Sequence, residues 1–262
     1  MTDIKSMTPA ELIELMLSVG EKPFRARQIY EWLHQHLAVS YDEMSNLPKS
    51  LKQKLADWPV TALEIMDVQV SKIDSTRKYL FRLSDGNMIE SVLMKYHHGN
   101  SVCISSQAGC RMGCRFCAST IGGLARNLLP SEMLDQIYRI QADTGERVSN
   151  VVVMGSGEPL DNYDNLLRFI HILTEEGGLH ISQRNLTVST CGIVPRMYEL
   201  ADEKLQMTLA VSLHAPNDKK RKQLMPIANK YSMEELLDAC RYYFEKTGRR
   251  ITFEYSLVAG VN

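Results

Sequence analysis

Three cysteines of this chain fall close together, Cys110, Cys114 and Cys117 in the string "GCRMGCRFCAS" at residues 109–119. Thiolates are soft ligands that suit zinc or an iron–sulfur cluster. A structural zinc site takes four protein ligands, so a zinc knuckle here needs a fourth, with Cys103, His97 and His98 as candidates. A cubane cluster held by three thiolates instead leaves one iron without a protein ligand. That iron can chelate the amino and carboxylate groups of S-adenosylmethionine. An electron from the cluster then cleaves a carbon–sulfur bond and makes a 5′-deoxyadenosyl radical, chemistry that no side chain performs alone. The C-x3-C-x2-C spacing favours the cluster, with zinc and unligated thiols as the alternatives.

The elements that would position these thiols alternate. After residue 100 the rhythm is strand, loop, helix, with strand candidates "SVCISS", "NVVVMG", "NLTVST", "MTLAVSLH" and "RITFEYSLV". Helical stretches lie between them, such as "SEMLDQIYRIQA", "NLLRFIHILTEE" and "SMEELLDACRYYFEK", the last opened by a Ser232-to-Glu235 capping box. This alternation implies an α/β fold with a parallel sheet and right-handed crossovers, doubly wound or barrel-like. In both, ligands gather at the C-terminal ends of the strands. The cysteine loop follows the first strand. After the second comes "MGSGEPLDN", where Gly155 and Gly157 let backbone approach a ligand and Glu158 supplies a carboxylate suited to an ammonium group. The third and fourth strands end in "VSTCG" and "VSLHAPND", which puts Ser189, Ser212 and His214 at the same rim. Singly each is an ordinary loop residue; together they continue a pattern.

Upstream the pattern differs. Thr8-Pro9-Ala10-Glu11 is a capping box with proline at the first helical position, followed by Leu12, Leu15, Met16 and Val19 at helical spacing. A second helix is predicted through "FRARQIYEWLHQHL", with Phe24, Ile29, Leu33 and Leu37 inward. Residues 63–97 hold short β-rich runs, and the turn signal Asp85-Gly86-Asn87 separates the last two, which predicts a small antiparallel element. The expected division is a helical accessory domain at 1–60, a β-rich connector at 61–99 and the α/β core at 100–262. Of the 262 residues 44% are hydrophobic and 23% charged, and the formal net charge is −1, so no global basic field advertises a nucleic-acid partner. No apolar run spans a bilayer and no signal-peptide pattern opens the chain, which makes the cytoplasm the expected compartment and a membrane partner unexpected. Six cysteines without a secretory signal read as metal-binding or catalytic, not as a disulfide framework.

These residues carry a resemblance. An aromatic, Phe116, precedes the last cysteine, as in the radical S-adenosylmethionine superfamily signature. The strings "CISSQAGCRMGCRFCAST…RNLLPSEMLDQI", "VVVMGSGEPLDNYDN", "LTVSTCGIVP" and "VSLHAPNDKKRKQLMPI" resemble the RlmN/Cfr family of RNA adenine methyltransferases. "GEPLDNYDN" is closer to the RlmN branch, which methylates C2 of adenine, than to the Cfr branch, which methylates C8. "KPFRARQIYEWLH" is similar to the family's small helical domain. The resemblance implies a radical SAM partial (β/α) barrel, incomplete at the C-terminus, with that helical domain and a short β-rich connector. It implies a [4Fe–4S] cluster on Cys110, Cys114 and Cys117. It also implies S-adenosylmethionine contacts at Gly157, Glu158, Ser189, Ser212, Leu213 and His214. Glu90 matches a proton acceptor and Cys103 the cysteine that resolves a covalent RNA–protein intermediate. In the family, one cofactor methylates an enzyme cysteine and a second supplies the radical that activates that methyl group. Cys103 then forms a disulfide with the carrier as product leaves. The implied partners are 23S rRNA, tRNA and a flavodoxin-type electron donor, with the enzyme monomeric.

The sequence departs from the family at its end. The carrier cysteine and a further cofactor-binding asparagine are expected beyond "EYSLVAGVN", so the chain reads as a truncated core whose own activity is not expected. Cys240, spaced with Leu236, Leu237, Tyr243 and Phe244, reads as a core cysteine, and Cys191 as a small packing residue. The run Lys219–Lys222 is either a solvated helix face or a phosphate contact, and Arg111, Arg115 and Arg126 fit an RNA-facing rim. A zinc-stabilised RNA-binding module and a C8-methylating enzyme are the competing functions.

Overall fold

The computed structural model describes residues 3–262. Helices form first in the chain because apolar residues recur there at helical spacing behind capped starts. α1 (Pro9–Ser18) opens on Thr8, whose hydroxyl accepts from Glu11 N–H at 3.3 Å while Glu11 Oε2 accepts from Thr8 N–H at 2.8 Å. Leu12, Leu15 and Met16 are buried as expected. α2 (Phe24–His34) buries Ala26, Ile29, Tyr30 and Leu33, one continuous stripe. Phe24 lies two positions before that stripe, on the opposite side of the helix, and is 52% exposed. Leu37 falls beyond the helix end at φ 58°. Phe24 was expected inward and faces solvent, whereas Leu37, also expected inward, is half-buried and packs against the core from beyond the helix end. α3 (Lys49–Lys54) completes the helical part.

The β-rich segment does not stand apart. β1 (Glu64–Val70), β2 (Arg77–Arg82) and β3 (Met88–Tyr96) pair antiparallel, and β3 pairs with β4 (Gly99–Ile104), so they continue directly into the main sheet. Next come a two-stranded ribbon, β5 (Gln107–Gly109) with β6 (Leu124–Asn127), and α4 (Pro130–Thr144). The alternation then runs β7 (Val148–Val153), α5 (Tyr163–Thr174), β8 (Leu186–Thr190), α6 (Val194–Asp202), β9 (Thr208–Ser212), α7 (Asp218–Leu224), α8 (Met233–Thr247) and β10 (Ile251–Glu254). The sheet order is β1-β2-β3-β4-β7-β8-β9-β10, with the last five strands parallel. This is the partial barrel that the alternation predicts, open beyond β10.

Strand periodicity sorts residues between its two faces. Val102, Val151, Leu186, Val188 and Leu209 are fully buried on the outer face, under the helices. In the same registers Cys103, Val152, Thr187, Ser189, Ala210, Ser212 and Glu254 point inward. The lumen is therefore lined by small and polar side chains, with space for a ligand.

The helical part docks on α4 through buried polar groups. Lys5 Nζ lies 2.7 Å from Asp135 Oδ1 with both side chains buried, and Leu63 N–H donates to Asp135 Oδ2 at 2.6 Å. His34 is wholly buried, its Nδ1 2.7 Å from the Tyr138 hydroxyl. Burial, with a smaller contribution from the Lys5 charge, pushes the His34 pKa from 6.5 down to about 3. Between those values the unfolded chain binds a proton that the folded chain refuses, so stability rises with pH. Acidification from pH 6.5 toward 3 therefore costs about 1.4 kcal/mol per unit through this residue. Urea midpoints measured from about pH 6.5 to 4.5 should fall less steeply for His34→Phe than for the unmodified protein. Parallel pH profiles would contradict this.

Candidate active site

The cysteine loop is pinched at its neck. Gly109 has φ 76°, and a Cβ there would lie 2.0 Å from the Gly123 carbonyl oxygen, which accepts from Cys110 N–H at 3.0 Å. Only glycine fits. Within the loop Cys117 N–H donates to the Cys114 carbonyl at 3.1 Å, and Arg115 N–H to the Leu224 carbonyl at 2.9 Å, which ties the loop to α7.

Cys110, Cys114 and Cys117 line one cavity at the C-terminal ends of the parallel strands. The turn after β7 adds Gly157 and Glu158, β8 adds Ser189, and β9 adds Ser212 and His214. Leu213 is not among the cavity walls; its side chain packs against the main core and its N–H donates to the Glu254 carbonyl. Burial raises the Cys110 thiol, and burial followed by the neighbouring thiols and Glu158 pushes Cys114 up to about 12. Thiolates so placed need a cationic group between them, and the donor chemistry fits iron–sulfur ligation. A single zinc ion fits poorly. Among the described residues no three His, Cys, Asp or Glu side chains are arranged to hold one metal ion. His97 and His98 precede β4 whereas the loop follows it, a separation of about 20 Å along six residues of strand. Cys103 points into the lumen and is not among the cavity walls. The proposed fourth zinc ligands are thus in the wrong places.

Glu158 is 3% exposed, and burial raises its pKa against the opposing effect of its backbone donors. Its Oε1 accepts from Leu160 N–H at 3.0 Å and its Oε2 from Cys191 N–H at 2.7 Å. The glycines beside it line the cavity and also let backbone segments pack closely. A Cβ on Gly157 (φ 107°) would lie 2.8 Å from Gln107 N, and one on Gly155 2.9 Å from the Ile104 carbonyl oxygen. They let the turn press against the end of β4 and the start of β5. His214, at φ 53°, accepts at Nδ1 from Ser256 N–H at 3.0 Å, so the neutral ring carries its proton on Nε2. Burial lowers its pKa, which favours that neutral form. Phe116 packs edge-on against the ring at 4.9 Å.

Cys103 and Glu90 lie on the inner face but outside the cavity walls. Val92 is directly opposite Cys103, and Glu90 is two residues along the same strand. Burial raises the Cys103 thiol pKa, with Glu254 adding to the rise, so the group rests as a neutral thiol. Glu90 is half-exposed and ion-paired with Lys78 at 2.6 Å. All six cysteines are free thiols, so no disulfide staples the fold.

Several basic residues are committed elsewhere. Arg126 pairs with Glu132 through two bonds of 2.7 Å and also with Asp85, so it is not a free rim cation. Arg111 pairs with Asp161. Arg221, inside the basic run, is fully buried and donates to the carbonyls of Cys191 at 2.6 Å and Ser212 at 3.2 Å, while Nε and Nη1 have no partner among the described residues. Cys191 packs with Cys114 and lines the cavity, while Cys240 is a core cysteine as expected. Arg221 was read only as part of the basic run, a solvated face or a phosphate contact, and its full burial excludes both for that residue; Glu254, which also lines the cavity, was not singled out by motif.

Comparison with known proteins matches two family models to the chain. The radical SAM superfamily covers residues 104–262, and the ribosomal RNA large subunit methyltransferase N-terminal domain covers residues 2–60. A probable dual-specificity RNA methyltransferase RlmN from Lachnospira eligens is 70% identical over 100% of this chain and 75% of its own length. One of the same name from Clostridioides difficile is 55% identical over 99% of this chain and 76% of its own. The crystal structure of a radical SAM methyltransferase from Sphaerobacter thermophilus superposes with a TM-score of 0.94 at 46% identity, over 100% of this chain and 78% of that one.

The neck of the loop offers a direct test of this geometry. Gly109→Ala should destabilise the protein by more than about 1 kcal/mol, because both the left-handed backbone and the carbonyl contact forbid a side chain. Gly122→Ala, where a Cβ meets nothing within 4 Å, should be close to neutral. Urea denaturation of the two variants checks this, and equal midpoints would contradict it.

Proposed function

The chain belongs to the RlmN-type RNA methyltransferases of the radical SAM superfamily, and from that membership we propose that, together with the methyl-carrying cysteine the family resemblance implies, it methylates C2 of adenine in 23S rRNA and in tRNA. The observation that carries the proposal is the convergence on one cavity of the cysteine loop with the turns after β7, β8 and β9. Cys110, Cys114 and Cys117 would hold a [4Fe–4S] cluster, and Gly157, Glu158, Ser189, Ser212, Leu213 and His214 would contact S-adenosylmethionine. When bound, that pair supplies a carbon radical, which suits an adenine carbon too weakly nucleophilic for displacement at a sulfonium.

The chain's own residues then bind, orient and move protons. Glu158 would keep the methionyl ammonium beside the loop, since each of its oxygens retains a lone pair. His214, neutral, offers Nε2–H to the cavity. Cys103 is stored as a half-buried thiol, and it must lose its proton before it can attack a sulfur. Glu90 would accept the adenine proton from the lumen rim, where Lys78 steadies its carboxylate. Exposed Arg115, Lys219 and Lys222 remain available for RNA phosphates. A soluble low-potential donor of the flavodoxin type would supply electrons in the cytoplasm, to a monomer. No helix among the described residues is long and apolar enough to cross a membrane.

The similarity of "GEPLDNYDN" to the RlmN branch selects C2 over C8. Mass spectrometry of nucleosides from 23S rRNA and tRNA, with and without the gene for this chain, tests the proposal. The expected result is loss of 2-methyladenosine from both RNAs with other methyladenosines unchanged. Loss of 8-methyladenosine instead, or no change, would overturn it.

A further inference from the structure

Glu254 ends β10 on the inner face and lines the cavity. Four hydrogen bonds tie it to the residues that end β8 and follow β9. Its backbone carbonyl accepts from Leu213 N–H at 3.0 Å and from His214 N–H at 3.2 Å. Its Oε2 accepts from the Ser189 and Ser212 hydroxyls, each at 3.3 Å. Oε1 has no partner among the described residues.

The placement of protons decides what this wall can bind. A serine hydroxyl has one proton and two lone pairs, and a carboxylate has lone pairs only. Ser189 and Ser212 both direct their protons at Glu254, so they present only lone pairs to the cavity. With Oε1 they form an acceptor-only surface, which suits a ligand that brings adjacent donors. A vicinal diol is such a ligand, and a strand-end carboxylate takes the ribose hydroxyls of dinucleotides in the same manner. The cofactor's other multiple donors are its adenine amino group and its ammonium, and Glu158 supplies a carboxylate for the ammonium on the β7 side of the cavity.

We propose that Glu254 is a specificity-determining residue of this site, which fixes the polarity of Ser189 and Ser212 so that the wall accepts the ribose diol of the adenosyl group. The inference rests on the cavity being the S-adenosylmethionine site. Glu254→Gln keeps the shape but replaces one acceptor by an NH2 donor.

Calorimetric titration of cluster-loaded protein with three ligands tests it: S-adenosylmethionine, its deoxyribose analogue, and an analogue lacking the amino group. The unmodified protein should prefer the ribose form by at least about tenfold, the worth of one well-made hydrogen bond to a charged group. Glu254→Gln should bind S-adenosylmethionine about tenfold more weakly and lose most of the ribose preference while keeping the amino preference. Melting temperature and iron content should match the parent. If Glu254→Gln fails to fold, the Ser189→Ala, Ser212→Ala double variant reads the same ratio. An unchanged ribose preference, or loss of the amino preference instead, overturns the inference. If the unmodified protein binds none of the three ligands, the proposed function fails and takes this inference with it.

Discussion

Glu158 sits in the interior with both carboxylate oxygens engaged by backbone N–H groups, those of Leu160 and Cys191. Its own N–H donates to Gln107 Oε1 at 2.8 Å, and Gln107 Nε2 donates to Asn127 at 2.8 Å and to Asp161 at 3.0 Å. These bonds join the turn after β7 to the turn after β8, and both to the ribbon that closes the cysteine loop. An unpartnered carboxylate so deep would cost several kcal/mol. Here its partners are backbone groups of two turns, those after β7 and β8, so satisfying the charge also fixes their mutual positions, while its own N–H ties both to Gln107 of the ribbon. Gly157 permits that contact by pressing its backbone against Gln107. The knot thus acts with the Arg115–Leu224 backbone bond and the packing of Cys114 on Cys191 to hold the three thiols against the β8–β9 wall.

The rest of the fold stiffens this junction from outside. The outer faces of the parallel strands pack apolar residues against the helices, while their inner faces carry small and polar groups. α4 follows the ribbon directly and is held on its far side by Lys5 to Asp135 and by His34 to Tyr138. A buried ion pair is weak evidence for stability, but breaking one by removing a single partner costs about 3–5 kcal/mol. The helical domain therefore has one seat on the barrel. Arg221 plays a similar part beneath the cavity, joining the ends of β8 and β9 through their carbonyls.

Much of this was legible in local pattern. Five strands alternating with helices, and three cysteines at fixed spacing, are short-range features. They located the barrel and the loop, and with the family resemblance they located the residues at the rim. What remained hidden depends on distant parts of the chain. A run of four basic residues does not reveal which one turns inward, and on α7 it is Arg221, because that position faces Cys191 and Ser212 across the barrel end. Glu254 read as an ordinary strand residue because its partners lie on β8 and β9. The ribbon β5–β6 is too short for periodicity to show. Gly155 and Gly157 were marked for close approach to a ligand, but the sequence could not show that their backbone also packs on the end of β4 and the start of β5. The histidines offered as zinc ligands could be discarded only once β4 separated them from the loop.

Three thiolates holding four irons leave one iron for the cofactor, and Mössbauer spectroscopy reads that asymmetry directly. The sample is this protein reconstituted anaerobically with isotopically enriched iron, recorded before and after S-adenosylmethionine is added. The spectrum of a [4Fe–4S] cluster in which one iron of the four shifts on addition, the other three staying as they were, is the predicted result. A preparation that holds zinc in place of iron, or a cluster whose four irons are all indifferent to the cofactor, would contradict it.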